Sequence, residues 1–406
     1  MAETRTACAE RLIGGYLART GAAEDGRGDA RRRYLWTDAY AVTTLLALHR
    51  STGKPAHLAD AGRIADLVHA VLGRHRPDDT RRGWISGLGE SEGAMHPTAG
   101  GLRIGKPLPE RLAGERLQER LEWERDGQYF HYLVKWMLAL DLLSRVASEP
   151  HWNALAIELA QRAHGAFVSP PVPGRPRHMH WKMSIDLSRP LVASMGHHDP
   201  LDGLATALRL QATRRDFGDG DTRLSELIQD YRVLCEDIAD WGTHDALGLG
   251  GLFAALDELV ELVASDRMAF DPLLLRVAAA AGESLACWPE RRELRSPVES
   301  RLAFRELGLA IGVRAAPRIC EAIDRHPTRF GTAVERAILR AHLQGVSARS
   351  GLADRIEAAW LEPSARVASS WRMHEDINAV MLASSLVEGS FMPHEPRPLR
   401  LPSSAR

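Results

Sequence analysis

The feature that most constrains this chain is an alternation between two kinds of helix-like segment. "YLWTDAYAVTTLLALHRSTG" is apolar nearly all round, and "AHLADAGRIADLVHAVLG" after it is apolar along one stripe. "GQYFHYLVKWMLALDLLSRVAS" and "HWNALAIELAQRAHGAF" repeat the design. A helix apolar on every side is buried on every side, whereas a striped helix keeps one face in water. The alternation therefore predicts an inner and an outer helical layer joined as hairpins. The Thr-Gly-Lys-Pro turn inside the first pair fits this, since glycine closes a helix C-terminus and proline suits a first turn.

Further pairs follow. "DPLDGLATALRLQATRR" precedes "LSELIQDYRVLCEDIADW", and "ALGLGGLFAALDELVELVAS" precedes "DPLLLRVAAAAGESLACW". "VESRLAFRELGLAIGV" pairs with "APRICEAIDRH", and "GTAVERAILRAHLQGVS" with "GLADRIEAAWL". "WRMHEDINAVMLASSLVEG" is left to partner the N-terminal helix. Alternating β-branched runs are nearly absent, so strands are expected to be minor. The fold class read from this is all-α: six hairpins, or seven, closing into an (α/α) toroid with no sheet edges. A superhelical solenoid is the competing architecture, but it would carry a repeat consensus and none is found. Residues 1–390 read as one such domain and 391–406 as a Pro-rich tail.

Two Gly- and Pro-rich stretches, 75–126 and 169–198, break the helical rhythm. Loops of that length inside a compact domain are functional or disordered. Trp84, Ile85, His96, Leu102, Ile104 and Trp123 give the first one apolar anchors, so both read as ordered lids. The run "ERLAGERLQERLEWER" within it reads as a solvated face.

Composition closes off several function classes. With 52 basic and 53 acidic residues the chain has no global attraction to nucleic acid or to a membrane surface. The N-terminus has no apolar run of signal-peptide length, and no segment approaches a membrane span. Cys8, Cys235, Cys287 and Cys320 lie far apart, which reads as buried reduced thiols in a cytoplasmic protein.

Polar and aromatic residues collect where the buried helices begin. They are "LWTDAY" with Trp36, Asp38 and Tyr40; "RDGQYFHYLVKW" with Asp126, Gln128, Tyr129, His131, Lys135 and Trp136; and "GHHDPLDG" with His197, His198, Asp199 and Asp202. "WGTHDA" holds Trp241, His244 and Asp245, and "WRMHEDIN" holds Trp371, His374, Glu375, Asp376 and Asn378. In a ring of parallel inner helices these starts converge at one mouth. The bland alternative is that aspartates at helix starts are caps, with Asp199-Pro200 a good one, and that a preceding Trp is a hydrophobic staple. Gln128, His131 and Lys135 resist it: spaced by three and four, they share one face of a helix too apolar to be exposed. Buried polar groups need partners, so that face meets a wet cavity or a ligand.

Aromatic rings beside carboxylates and amides suit a sugar, which offers an apolar face to stack and a rim of hydroxyls. Trp36, Tyr129, Trp136, Trp181 and Trp371 are the stacking candidates; Tyr40, His180, Lys182 and Asp186 join Gln128, Lys135, His197, His198 and Asn378 as further substrate contacts. Arg103, Lys106, Arg175, Arg177, Lys182 and Arg189 give the long loops a cationic bias suited to an acidic sugar.

A chain of this length built from helical hairpins, with the turn "STGKPAHLADAGRIADLV", resembles the six-hairpin glycosidase superfamily. That group includes N-acylglucosamine 2-epimerase-like isomerases and unsaturated glucuronyl hydrolases. The resemblance is architectural and implies the toroid and a sugar-directed activity, without a substrate. Two mechanisms fit the residues. A glycosidase needs a carboxylic acid and a second carboxylate across the cavity, here Asp38 with Asp199 or Glu375. An epimerase or isomerase moves a proton beside a carbonyl, with His131, His374 and His198 as acid and base. No cofactor is expected; Zn²⁺ or Mn²⁺ held by His178, His180, His197 and His198 is the alternative. A non-catalytic carbohydrate-binding protein stays open as well, since the carboxylates would serve equally as caps.

Overall fold

The computed structural model describes residues 3–24, 26–170, 177–218, 223–347, 349, 351–387 and 389. The expected tail 391–406 and Arg175 lie outside them. The chain divides into two compact units, residues 14–237 and residues 238–395 with 1–13.

In the unit 14–237, three long helices are buried nearly all round: Leu35–Thr52, Phe130–Ala147 and Asp199–Asp216. Each is followed by a striped partner. Pro55–Leu72 buries only Ala61, Ile64, Ala65, Val68, His69 and Leu72, the spacing of a single face. Pro150–Phe167 and Arg223–Glu236 show the same restriction. The buried helices pack on one another in chain order, and each packs on its striped partner. The first hairpin turn behaves as its sequence dictates: Gly53 closes the helix in the left-handed region at φ 71°, and Pro55 opens the next.

The unit 238–395 with 1–13 repeats the layering with the helices Ala246–Ala264, Ala303–Val313 and Glu375–Leu386, each mostly buried. Ala246–Ala264 packs on Leu273–Cys287 as expected, but the other expected pairs of this unit do not form. Ala316–Arg325 packs against Ala246–Ala264 rather than forming a hairpin with Ala303–Val313. Ala333–Ser347 lies on Leu273–Cys287, and Gly351–Leu361 on Ala303–Val313. The cause is close backbone approach. A Cβ on Gly250 would stand 2.1 Å from the Gly308 carbonyl oxygen, and one on Gly312 2.4 Å from the Gly250 oxygen. Three glycines thus let Ala246–Ala264 and Ala303–Val313 cross at a distance no side chain permits, and the outer helices fit around that crossing.

Among the described residues the strands are β1 (Gln128–Tyr129), β2 (Lys182–Met183) and β3 (Pro190–Val192), antiparallel in that order. This small sheet joins the two long loops at the point where Phe130–Ala147 begins. Trp84, Ile85, Leu102 and Ile104 are buried as anchors, whereas His96 and Trp123 are exposed. Nor is the charged run of the first loop wholly solvated: Glu110 and Glu122 are buried. Cys8 and Cys235 are buried, but Cys287 is exposed and Cys320 half-buried, and none of the four is in a disulfide. Among the described residues no helix is long and apolar enough to cross a membrane.

Candidate active site

The starts of the three buried helices of the unit 14–237 meet. Asp199 is the first residue of Asp199–Asp216; the N-cap is His198, whose side chain makes no cap hydrogen bond. This corrects the expectation that Asp199 caps. The carboxylate instead packs over Gly196, where a Cβ would fall 2.3 Å from Asp199 Oδ2, so only glycine fits beneath it. From the start of Phe130–Ala147, His131 brings Nδ1 to 4.0 Å from Asp199 Oδ1. One turn further along each helix, Lys135 Nζ stands 3.4 Å from Asp202 Oδ1. From Leu35–Thr52 come Trp36 and Tyr40, whose rings lie 5.1 Å apart.

Aromatic rings surround His131. Trp36 lies 6.0 Å from it, Tyr129 5.3 Å and Tyr132 4.8 Å, and Trp181 lies near-parallel to it at 6.1 Å. Tyr132 shares a 2.6 Å hydrogen bond with the Tyr34 hydroxyl. Strand pairing fixes the arrangement, because Tyr129 sits opposite Lys182, the residue after Trp181.

Among the described residues, three buried polar atoms in this cluster have no hydrogen-bond partner: Trp36 Nε1, His131 Nδ1 and Asp199 Oδ2. Native proteins satisfy nearly all such atoms, so the three leave unmet hydrogen-bonding capacity side by side. Burial drives His131 down to about 3, helped by the Lys135 charge, so the ring is neutral. Burial, then the neighbouring Asp202 charge, pushes Asp199 up to about 8 against the pull of Lys135, so at neutral pH its carboxyl holds its proton. An acid and a neutral base driven apart in this way are what proton-transfer sites require.

Several residues expected at the site belong to the framework. Asp38 is fully buried and engaged by Tyr16 Oη (2.6 Å), Arg33 Nη1 (3.1 Å) and the Tyr34 N–H (3.0 Å). It ties the chain before its helix to the helix start. Gln128 accepts from the Leu102 N–H and donates to the Gly100 and Ile185 carbonyls, joining both long loops. Gly101, at φ +76°, leaves room for that amide, which a Cβ there would meet at 2.2 Å. Trp136 is a core residue whose indole N–H donates to His69 Nε2 at 3.2 Å. Lys182 donates to the Glu122 carboxylate and to the Glu122 and Arg125 carbonyls. Asp186 accepts from Ser184, Ser188 and Arg81; against the upward push of burial, the serine hydrogen bonds hold it at about 2. For Gln128, Trp136 and Lys182 the partners stand far off in sequence, which no motif announces.

His197 is exposed and His198 half-buried, with rings 4.7 Å apart; His178 and His180 form another pair at 5.3 Å. Among the described residues no three His, Cys, Asp or Glu side chains are placed to hold a metal ion, so the expected four-histidine set is two separate pairs.

The remaining candidates lie in the other unit. Trp371 is buried against Trp360 at 6.0 Å, and Asn378 joins the helix starts by accepting from the Phe304 N–H and donating to the Trp371 carbonyl. Asp245 caps Ala246–Ala264 through the Gly248 N–H and pairs with Arg305. His374, edge-on to Phe304 at 5.7 Å, and Glu375 are exposed. Sequence reasoning missed Tyr34, Tyr132 and Gly196. "YFHY" does not distinguish the second tyrosine from the first, and only the packing of Tyr34 against Tyr132 shows its place beside His131.

No family model matches the chain, and no curated protein matches it in sequence. Solved structures do. The chain superposes on the GH76A alpha-1,6-mannanase from Salegentibacter sp. HEL1_6 with a TM-score of 0.51 and 13% identity, covering 94% of this chain and 98% of that one. An inactive variant of that mannanase, with two aspartates replaced by asparagine and alpha-1,6-mannotriose bound, matches with a TM-score of 0.52 and 13% identity over 94% and 99% of the two chains. These likenesses show the fold, an all-α (α/α) toroid. The cellobiose 2-epimerase from Spirochaeta thermophila DSM 6192 matches with a TM-score of 0.46 and 15% identity, over 87% and 96%.

Proposed function

We propose that this chain is a carbohydrate-active enzyme whose sugar binds over His131 and Asp199. The observation that carries the reading is the facing pair itself. An acidic carboxyl and a neutral imidazole, each with a buried polar atom lacking a protein partner, lie 4.0 Å apart among aromatic rings. A pyranose meets both needs, since its apolar face stacks on Trp36, Tyr129 or Trp181 while its hydroxyls bond the orphaned atoms. In a glycoside hydrolase-like reaction Asp199 gives its proton to the departing glycosidic oxygen while a water bonds to the anomeric carbon. Asp202, one turn on and held by Lys135, is the second carboxylate and takes that water's proton. The fold shared with an alpha-1,6-mannanase supports this choice of chemistry.

The Nδ1 of His131, without a partner among the described residues and facing Asp199, supports a second reading, in which His131 removes and returns a proton beside a sugar carbonyl, as an epimerase or isomerase does. One experiment separates the two. Mannose, glucose, glucuronic acid and their disaccharides are incubated with wild type, Asp199→Asn and His131→Gln in heavy water, and both cleavage and deuterium uptake at the sugar carbons are followed. Hydrolysis without exchange, lost by about 10²-fold or more in Asp199→Asn, supports the first reading. Exchange lost in His131→Gln supports the second. Turnover that is unchanged in both variants overturns the site.

A further inference from the structure

Trp123 is 49% exposed, unusual for so large an apolar ring, yet the backbone around it is among the most firmly tied in the loop. The residue before it, Glu122, is buried and accepts from Lys182 Nζ (2.9 Å) and Arg111 Nε (3.0 Å). The same Lys182 ammonium donates to the Glu122 and Arg125 carbonyls at 2.7 and 2.8 Å, clasping the chain on both sides of Trp123. Three residues beyond, Asp126 is fully buried and held by Arg76, Arg103 and the Gly105 N–H. An exposed Trp on a mobile tip would be unremarkable; here a buried lysine spends three hydrogen bonds fixing the segment that presents it. Lys182 directly follows Trp181, so the clasp also sets Trp123 relative to Trp181, with ring centroids 4.9 Å apart and planes at 72°. Trp181 in turn lies 5.1 Å from Tyr129 and near-parallel to His131. The rings form a continuous path from the His131–Asp199 pair out to solvent.

We infer that Trp123 and Trp181 form an outer sugar-binding subsite, so that the substrate is an oligosaccharide of at least two rings rather than a monosaccharide. The inference rests on the proposed sugar site at His131 and Asp199 and specifies the length of its ligand. A rigid indole offers a second pyranose an apolar face at little entropic cost, and its neighbour orients the linkage toward the inner site. Lys182 is then a positioning residue: its ammonium holds the platform and touches no sugar.

The test is calorimetric titration of wild type, Trp123→Ala, Trp123→Phe and Lys182→Met with mannose, alpha-1,6-mannotriose, glucose and cellotriose. In wild type one trisaccharide is expected to bind at least 10-fold more tightly than its own monosaccharide. Trp123→Ala removes that advantage and leaves the monosaccharide unchanged, Trp123→Phe keeps most of it, and Lys182→Met behaves like Trp123→Ala in a chain of native circular dichroism. An unchanged trisaccharide-to-monosaccharide ratio in Trp123→Ala overturns the outer subsite while leaving the inner site standing. A change in self-association without a change in sugar affinity assigns Trp123 to a protein contact and overturns it too. Absence of binding by all four sugars removes the inner site, and the outer one with it.

Discussion

Replacing Asp199 by asparagine keeps the shape of the side chain and removes its charge, so it isolates what burying that carboxyl does to stability. The carboxyl sits at about 8 in the folded chain against roughly 3.9 when unfolded. Below about pH 4 it is protonated in both states and contributes nothing. Between about pH 4 and pH 8 only the unfolded chain releases the proton, so folding takes one up and stability falls as pH rises. Each pH unit in that window costs about 1.4 kcal/mol. His131, held down to about 3, works in the opposite sense and adds stability as pH rises from about 3 to about 6.5. The two slopes cancel from about pH 4 to 6.5, and the Asp199 slope emerges alone above it, amounting to roughly 2 kcal/mol by pH 8. The variant keeps His131, so subtracting its urea-unfolding free energy from that of wild type leaves Asp199 alone. That difference should shift by about 4 kcal/mol in the variant's favour between pH 5 and pH 8, a ceiling that solvent relaxation will lower. A difference curve flat across those pH values would show that the carboxyl ionises freely and would refute its assignment as an acid at neutral pH.

Two further substitutions probe the framework. Gly250→Ala forces a Cβ against the Gly308 carbonyl and should destabilise the chain by about 2 kcal/mol or more. Gly251→Ala, where a Cβ meets nothing within 4 Å, should stabilise the same helix by roughly 0.5–1 kcal/mol; equal thermal shifts for the two would contradict the close crossing. Asp38→Asn strips the buried partner from Arg33, so a loss of about 3–5 kcal/mol is expected. Any sugar bound by the surviving folded fraction should keep its wild-type affinity, measured below the new melting point. Weakened sugar affinity there would return Asp38 to the ligand site.

The sequence by itself determined the layering. All-round apolar content in Leu35–Thr52 and Phe130–Ala147, and a single stripe in Pro55–Leu72, are local patterns whose burial follows from periodicity alone. It also showed polar and aromatic residues gathering at helix starts, where Trp36, Tyr129, His131 and Asp199 stand, whereas Trp181 reaches them from the second long loop. Which helix lies on which in the unit 238–395 with 1–13 was not, because Gly250, Gly308 and Gly312 act through an approach between segments far apart in the chain. Nor was the sorting of polar residues at one helix start. Gln128, His131 and Lys135 look alike in sequence, yet backbone groups from two loops claim Gln128, Asp202 pairs with Lys135, and His131 Nδ1 has no protein partner. A side chain's chemistry is written in its residue type. Whether that chemistry is spent inside the protein or kept for a ligand depends on what tertiary packing sets within about 3 Å of it.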